Sequence, residues 1–225
     1  MKTSNILLIG LLVVTLLFGM GSNLVLKSEF EKVNKGDTYA GYRKEPLKPF
    51  KYVSLGGKAF GYTQIEPGKD FEMRTTANPR ILEWKIENDT LKLNYKKDWN
   101  DEGYGAINPF WGRPVAYILA PNLSGIESKG VRTMVSGWNS QELVLRQQGQ
   151  RMLMVNNKIA NLSLQIDAQG YIEINQKNKI GTANVLVKDS SNFITENVFK
   201  SFNIQVDSAA RVSLPGNLLK KAGIQ

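Results

Sequence analysis

The chain of 225 residues contains no histidine and no cysteine. These absences exclude disulfides, thiol nucleophiles, iron–sulfur clusters, the usual thiolate and imidazole zinc sites, and every triad with an imidazole base. A G-x-S-x-G nucleophile motif is also missing. Lipoprotein anchoring is excluded as well, because it needs a cysteine after the signal. The composition therefore excludes many kinds of chemistry, and together with the features below we expect no cofactor, no metal site and no enzyme activity.

Long basic runs are missing too, although 29 Lys and Arg against 20 Asp and Glu give a net charge of +9. No run is denser than pairs such as Lys96-Lys97 and Lys220-Lys221. Zinc fingers, basic helices and RNA-binding sheet motifs are absent from the sequence. We predict no nucleic-acid partner, and a diffuse positive charge that favours contact with anionic envelope polymers or lipids.

A long apolar segment stands at the N-terminus, where residues 6–20 contain no charge. Residues 1–26 are therefore predicted to be a membrane anchor or a signal segment. A cleaved signal needs a small-residue site, which Gly19-Met20-Gly21 offers. A retained anchor needs about twenty apolar residues, and the segment reaches that length only by continuing through Leu26. Phe30 and Val33 then follow at helical spacing, which favours an anchor with a helical stalk.

The next segment, residues 27–49, is predicted to be stalk and linker. Its second part, Asp37 to Lys48, is polar and contains glycine and proline. Helical periodicity nearly disappears after it, so residues 50–225 are predicted to form one β domain. Within that domain, Asn88-Asp89 separates two short alternating segments and predicts a hairpin-like or corner-like pair of strands.

Short alternating strands recur at a nearly constant interval in the second half. The last apolar residues before each polar turn are spaced by 19, 21, 21 and 19 residues, at Ile126, Leu145, Ile166, Val187 and Val206. A unit of about twenty residues cannot bury its apolar face alone, but stacked units bury a continuous core. The sequence predicts a single-stranded right-handed parallel β-helix, with a β-sandwich as the alternative.

Several segments carry a resemblance to a known family, and small-residue corners follow them. They are FKYVSL at 50–55, QIEPG at 64–68, LKL at 91–93 and VAYILAPNL at 115–123. Over about residues 50–215 the chain resembles the head GIN domain of auto-transporter adhesins, a domain of unknown function in Gram-negative envelope proteins. The resemblance implies a right-handed β-helix and an envelope setting, and no known activity. The chain departs from many members because its hydrophobic segment has the character of a retained anchor and it has no cysteine.

Charged residues recur at the predicted corners of the repeats. Parallel β-helices also include polysaccharide lyases and hydrolases, which use paired carboxylates. Alternating signs on adjacent corners also prevent like-charge repulsion in a stack, so a structural role is favoured. The corner residues are Glu127, Arg146, Asp167, Lys188, Asp189 and Asp207.

The most distinctive segment is the loop at residues 99–114, which interrupts the strand pattern with four aromatic residues: Trp99, Tyr104, Phe110 and Trp111. Exposed aromatic side chains stack on sugars or anchor a protein partner. The same residues would also serve to cap an open end of the repeats, which must be covered. Capping is favoured, and these four residues are the candidate partner surface.

Together these features predict a non-enzymatic cell-envelope protein. It is expected at the inner membrane facing the periplasm, or exported after signal cleavage. Its β-solenoid would present a surface for adhesion, scaffolding or binding of envelope polymers. Expected partners are the membrane, glycans, anionic polymers or other envelope proteins, with self-association through solenoid ends. The alternative is a carbohydrate-active enzyme that uses carboxylates on one face.

Overall fold

The computed structural model describes residues 3–32, 36–59, 61–96 and 110–221. The chain divides into two compact units, Met1–Tyr42 and Arg43–Gln225. The described residues are mostly β, which confirms the all-β prediction, with helices α1 (Thr3–Lys32) and α2 (Gly216–Lys221). The second unit therefore begins inside the segment predicted to be stalk and linker.

Helix α1 contains the apolar N-terminal segment and continues beyond it, as predicted, as far as Lys32. Its stretch Asn5–Glu31 is long and apolar enough to cross a membrane, and none of it is buried against protein. At 1.5 Å per residue, a helix of 30 residues is about 45 Å long, which exceeds the ~30 Å hydrocarbon core of a bilayer. Helix α1 is therefore long enough to cross the hydrocarbon core and to extend beyond it as a polar segment.

The strands form two sheets within the described residues. In spatial order, the nine-stranded sheet contains β1 (Arg43–Pro46), β4 (Glu72–Thr75), β7 (Ala116–Ala120), β3 (Tyr62–Pro67), β9 (Arg132–Ser136), β11 (Arg151–Val155), β13 (Tyr171–Ile174), β15 (Asn192–Thr195) and β17 (Arg211–Ser213). The eight-stranded sheet contains β16 (Phe199–Val206), β14 (Lys179–Val187), β12 (Lys158–Asp167), β10 (Asn139–Gln148), β8 (Gly125–Lys129), β2 (Tyr52–Gly57), β6 (Thr90–Tyr95) and β5 (Leu82–Glu87).

From β8 to β17 the chain alternates between the two sheets, and from β10 onward each strand pairs in parallel with the strand two places before it. Period-two alternation directs one set of side chains inward, and Leu145, Leu164 and Val185 form one such buried row. Parallel pairing therefore stacks equivalent positions of successive repeats into a continuous core.

One of the predicted repeat spacings is wrong by two residues. Leu145 is in register with Leu164, not with Ile166, so this step is 19 residues instead of 21. Ile166 faces Gln147, which is fully buried although it is polar. The amide nitrogen of Gln147 donates to the backbone carbonyl of Gln150 at 3.0 Å, whereas its buried Oε1 has no hydrogen-bond partner. Counting only apolar residues missed this inward position.

The predicted parallel stacking does not extend to the N-terminal end of the sheets. There β4 pairs antiparallel with β1 and β7, and β5 pairs antiparallel with β6. The β5–β6 pair is the predicted hairpin, and Asn88 and Asp89 both have the positive φ that a tight hairpin turn requires. An antiparallel strand at the end of a parallel stack pairs with the last parallel strand, so the stack does not end in a long unpaired edge.

Glu72 on β4 forms ion pairs at this end of the sheet. Its carboxylate pairs with Lys44 and Arg74, each at 2.7 Å. Burial raises the pKa of Glu72, but the hydrogen bonds from Lys44 and Arg74 outweigh burial and leave this pKa below its usual value. The paired carboxylate therefore stabilises the fold in its ionised form.

Both outer edges of the eight-stranded sheet are protected. Strand β5 carries exposed charges, including Lys85 and Glu87, which pair at 2.8 Å. Strand β16 at the other edge contacts α2, whose Leu218 is fully buried. Charged edges and short covering elements oppose edge-to-edge pairing. Self-association through the ends stays a prediction.

A ladder of buried asparagines runs beneath the corner before β12 and β14. The Asn157 amide donates to the Val135 carbonyl at 2.9 Å and to Asn178 Oδ1 at 2.8 Å, and its Oδ1 accepts from the Trp138 N–H at 3.0 Å. Asn178 repeats the pattern one strand later by donating to the Met154 carbonyl at 2.8 Å. These hydrogen bonds hold the corner in place. The 21-residue spacing of Asn157 and Asn178 is the feature of the sequence that marks this corner.

Candidate functional site

The predicted aromatic surface is only partly covered by the structure. Trp99 and Tyr104 lie outside the described residues. The Phe110 ring packs edge-on against Tyr62, with 5.5 Å between ring centroids. Trp111 is 87% exposed. Two adjacent aromatic residues thus have different environments, one against the β domain and one in solvent, and both capping and binding by the loop stay predictions.

A groove crosses the outer face of the eight-stranded sheet. It has two sections of about 360 Å³ and 540 Å³, which share Val144 and Arg146 as lining residues. Its walls and floor are the outward side chains of successive strands, because alternate residues of each strand point away from the core. We call this surface the outer groove; it extends from β6 and β2 across β8, β10, β12 and β14 to β16.

An aromatic platform forms one end of the outer groove. Tyr52 is 46% exposed and is in register with Gly125, which in turn is in register with Val144. A Cβ atom on Gly125 would lie 3.1 Å from Cδ1 of Tyr52, so the missing side chain leaves room for the ring over the neighbouring strand. Val144 is 54% exposed beside it. The result is an accessible apolar surface formed by a ring and an aliphatic side chain.

A charged cluster occupies the middle of the outer groove. The Arg146 guanidinium lies 3.2 Å from Asp167 Oδ2 and 3.9 Å from Glu127 Oε1. Gln165 donates to the same Asp167 oxygen at 2.9 Å. Glu127 and Arg146 are in register, as predicted for neighbouring corners, whereas the register partner of Arg146 on the next strand is Gln165 and Asp167 lies two residues further along. Arg146 nevertheless contacts both acidic residues. Two buried atoms of the cluster, Arg146 Nε and Asp167 Oδ1, have no hydrogen-bond partner.

Amide side chains form the other end of the outer groove. Asn203 donates to Asn184 Oδ1 at 2.9 Å across two paired strands. Gln165 and Gln205 line the next outward row, with the half-buried Leu186 between them. Amides offer both donors and acceptors, so this end is suited to hydroxyl-rich ligands.

The two carboxylates of the charged cluster, Glu127 and Asp167, both pair with Arg146 in the described part of the chain. No cluster of three or more metal-ligating side chains occurs there. Tyr95 is fully enclosed and hydrogen-bonded to Thr63 at 2.7 Å, and burial raises the pKa of Tyr95 to about 12. Tyr95 is therefore a core residue. The outer groove offers hydrogen bonding and apolar contact, which are the interactions of a binding surface.

No protein-family model matches this chain, and no curated protein is similar to it. The resemblance to the head GIN domain family thus stays a prediction. Among solved structures, the chain is similar to a putative adhesin from Bacteroides fragilis, with 14% identity and a TM-score of 0.39 over 77% of this chain and 96% of that one. A putative adhesin from Parabacteroides merdae has 10% identity and a TM-score of 0.32, over 78% of this chain and 95% of that one. A putative lipid binding protein from Parabacteroides distasonis has 8% identity and a TM-score of 0.28, over 77% and 93%. At these scores the likeness assigns neither a fold nor a function to this chain.

Proposed function

We propose that this protein is a non-enzymatic cell-envelope protein whose β domain binds extended envelope glycans in the outer groove. The observation that carries the proposal is the combination along one sheet face of the exposed Tyr52 ring, the neighbouring Val144 and a row of amides. Sugar rings present apolar C–H faces and many hydroxyls. An aromatic platform followed by amides matches both features.

The fold proposed for the β domain is a right-handed parallel β-helix. Its support is the run of parallel pairings from β8 to β17, with register steps of 19 to 21 residues. In such a stack, equivalent outward side chains of successive strands are about 4.8 Å apart. A repeating ligand, such as a polysaccharide, meets a repeating surface, which suits the fold to adhesion or scaffolding.

Helix α1 is proposed to be a retained anchor that holds the β domain at the periplasmic side of the inner membrane. Its apolar span and its continuation to Lys32 support an anchor over a cleaved signal. Sequencing the mature N-terminus after membrane and soluble fractions are separated tests this directly. A chain that starts after Gly21 and is found in the soluble fraction would instead indicate export after signal cleavage.

The carbohydrate-active alternative needs two carboxyl groups that are free to act as acid and as base or nucleophile. Glu127 and Asp167 are the two carboxylates nearest the middle of the outer groove, and both lie beside Arg146. The Arg146 guanidinium lies between these two carboxylates, so they do not face each other across an open cleft as the carboxyl pair of a glycosidase does. We therefore propose binding without catalysis.

The test of the groove compares Tyr52→Ala with Trp111→Ala in the full-length protein in non-ionic detergent. Both variants remove an exposed aromatic ring, but only Tyr52 lines the outer groove. On an array of neutral oligosaccharides and purified peptidoglycan, Tyr52→Ala is expected to weaken binding about tenfold. Trp111→Ala is expected to change binding less than twofold.

The opposite pattern would refute the groove and support the aromatic loop. Trp99→Ala, tested with Trp111→Ala, extends that comparison to the second loop tryptophan. Wild-type protein that binds none of these glycans would refute glycan recognition altogether. Far-UV circular dichroism of each variant separates a lost contact from a lost fold.

A further inference from the structure

A second concave surface lies at the start of the long strands, on the other side of the asparagine ladder from the core. The first residues of β10, β12, β14 and β16 form a depression of about 800 Å³. Three lysines line it, Lys158, Lys179 and Lys200, and all three are exposed. We call this surface the lysine trough. It is separate from the outer groove, since the two share no lining residue.

The floor of the lysine trough is made of small residues. Ala160 and Gly181 lie there on neighbouring strands. A Cβ atom on Gly181 would lie 2.5 Å from the carbonyl oxygen of Ala160, which is closer than real contacts allow. The backbones thus approach each other at this point. The small floor leaves space between the lysines for a chain-like ligand.

The lysines of the trough are not neutralised by neighbouring acids. Lys158 and Lys179 are directly in register on paired parallel strands, which are about 4.8 Å apart. Lys200 lies on the next strand, β16. The residues on either side of it, Phe199 and Ser201, pair with the residues on either side of Gly181, so Lys200 lies opposite Gly181. No acidic residue lines the trough, and no described carboxylate forms an ion pair with any of the three lysines. Like charges facing each other across strands are destabilising, so a bound anion would relieve an existing repulsion.

The backbone that carries the lysines is held rigidly. Asn157 and Asn178 of the buried ladder immediately precede Lys158 and Lys179. Their side chains are almost fully buried and bonded to the backbone of the preceding strands. Fixing the corner reduces the ordering cost when a ligand binds. The flexible lysine stems can still adjust to the spacing of the anionic groups.

We propose that the lysine trough binds a linear polyanion, an envelope polymer with carboxylate or phosphate groups along its length. Successive strands place one lysine each along the path of such a polymer, and the concave floor suits a chain better than a flat bilayer. The inference adds to the proposed function by assigning a charge preference to a second face of the same domain. Neutral glycan contacts in the outer groove and anionic contacts in the trough are independent of each other.

The test uses the full-length protein in non-ionic detergent with polygalacturonate, inorganic polyphosphate and neutral dextran as probes. The trough variant carries Lys158→Gln, Lys179→Gln and Lys200→Gln. The control variant carries Lys48→Gln, Lys69→Gln and Lys188→Gln, three exposed lysines outside the trough with the same change in net charge. At low ionic strength the trough variant is expected to bind at least one polyanion about tenfold more weakly, and the control less than twofold. Polygalacturonate identifies carboxylates as the preferred group, and polyphosphate identifies phosphates.

Equal losses in both variants would overturn the proposal, because they would show that only net charge matters. Lysine-dependent binding to phosphatidylglycerol vesicles without binding to either polymer would overturn it in favour of a membrane surface. Wild-type protein with no affinity for either polyanion would also overturn it. Because the trough variant retains the outer groove, unchanged binding on the neutral glycan array separates failure of this inference from failure of the proposed function.

Discussion

The asparagine ladder gives the sharpest stability prediction. Asn157→Ala removes three hydrogen bonds from a site that is 1% exposed, to the Val135 carbonyl, Asn178 Oδ1 and the Trp138 N–H. At about 1 to 1.5 kcal/mol for each buried bond left unmade, the expected loss is about 3 to 4.5 kcal/mol. This is a large share of the ~5–15 kcal/mol by which ordinary domains are stable.

Urea unfolding of the full-length protein in non-ionic detergent measures the loss, with the β signal in far-UV circular dichroism as readout. For a slope of about 2 kcal/mol per molar urea, the midpoint should fall by about 1.5 to 2 M. Asn203→Ala is the matched control, since Asn203 is exposed and shares one bond with Asn184. Its expected effect is below about 0.5 kcal/mol. Equal effects of the two substitutions would refute a stabilising role for the buried ladder.

Asn157→Asp adds a pH signature to the same site. The new carboxylate would face two acceptors, the Val135 carbonyl and Asn178 Oδ1. Burial and these acceptors would raise its pKa in the folded state above that in the unfolded chain. The protonated form is then favoured by folding, so the variant should lose stability relative to wild type as the pH rises. Stability that is equally low at pH 4 and pH 7 would contradict this explanation.

Three further changes test other parts of the fold. Gly130→Ala should cost about 2 kcal/mol or more in urea unfolding, because φ is +73° and the new Cβ would lie 2.6 Å from the Gly57 carbonyl oxygen; an unchanged midpoint would contradict it. Glu72→Gln should reduce the loss of stability on acidification, since the lowered pKa of Glu72 gives stability above the unfolded pKa near 4.5 that is lost as the pH falls through the folded value; an identical pH profile would count against it. Arg146→Met should cost about 1 to 2 kcal/mol by leaving the buried Asp167 without its cation, and adding Asp167→Asn should restore part of that loss in a double-mutant cycle.

Local patterns were sufficient for several elements because their causes are local. The uncharged run at residues 6–20, continued through Leu26, predicts a helix of membrane-spanning length. Asn88-Asp89 predicts the β5–β6 hairpin because both residues tolerate positive φ. The repeat correctly places Glu127 beside Arg146, and Asp167 reaches the same guanidinium from a position two residues out of register.

Features that depend on contacts between distant parts of the chain could not be predicted from these local patterns. The antiparallel pairing of β1 and β4 joins strands far apart in the chain, so no local signal distinguished it from linker. Gln147 is inward although polar, and its amide nitrogen donates to a backbone carbonyl. The count of apolar residues therefore placed the register two residues away. The Tyr52 platform arises because β2 pairs with β8 across more than 60 residues of chain.

The sequence by itself determined the periodic strands, the approximate twenty-residue repeat and the apolar N-terminal helix, because side-chain alternation and hydrophobicity act between near neighbours. The tertiary structure determined the register between strands, and therefore which residues of successive repeats lie side by side. Only strand pairing sets Lys158 beside Lys179 and Tyr52 over Gly125. Both candidate binding surfaces are therefore products of register, which depends on how distant strands bury their polar and apolar side chains together.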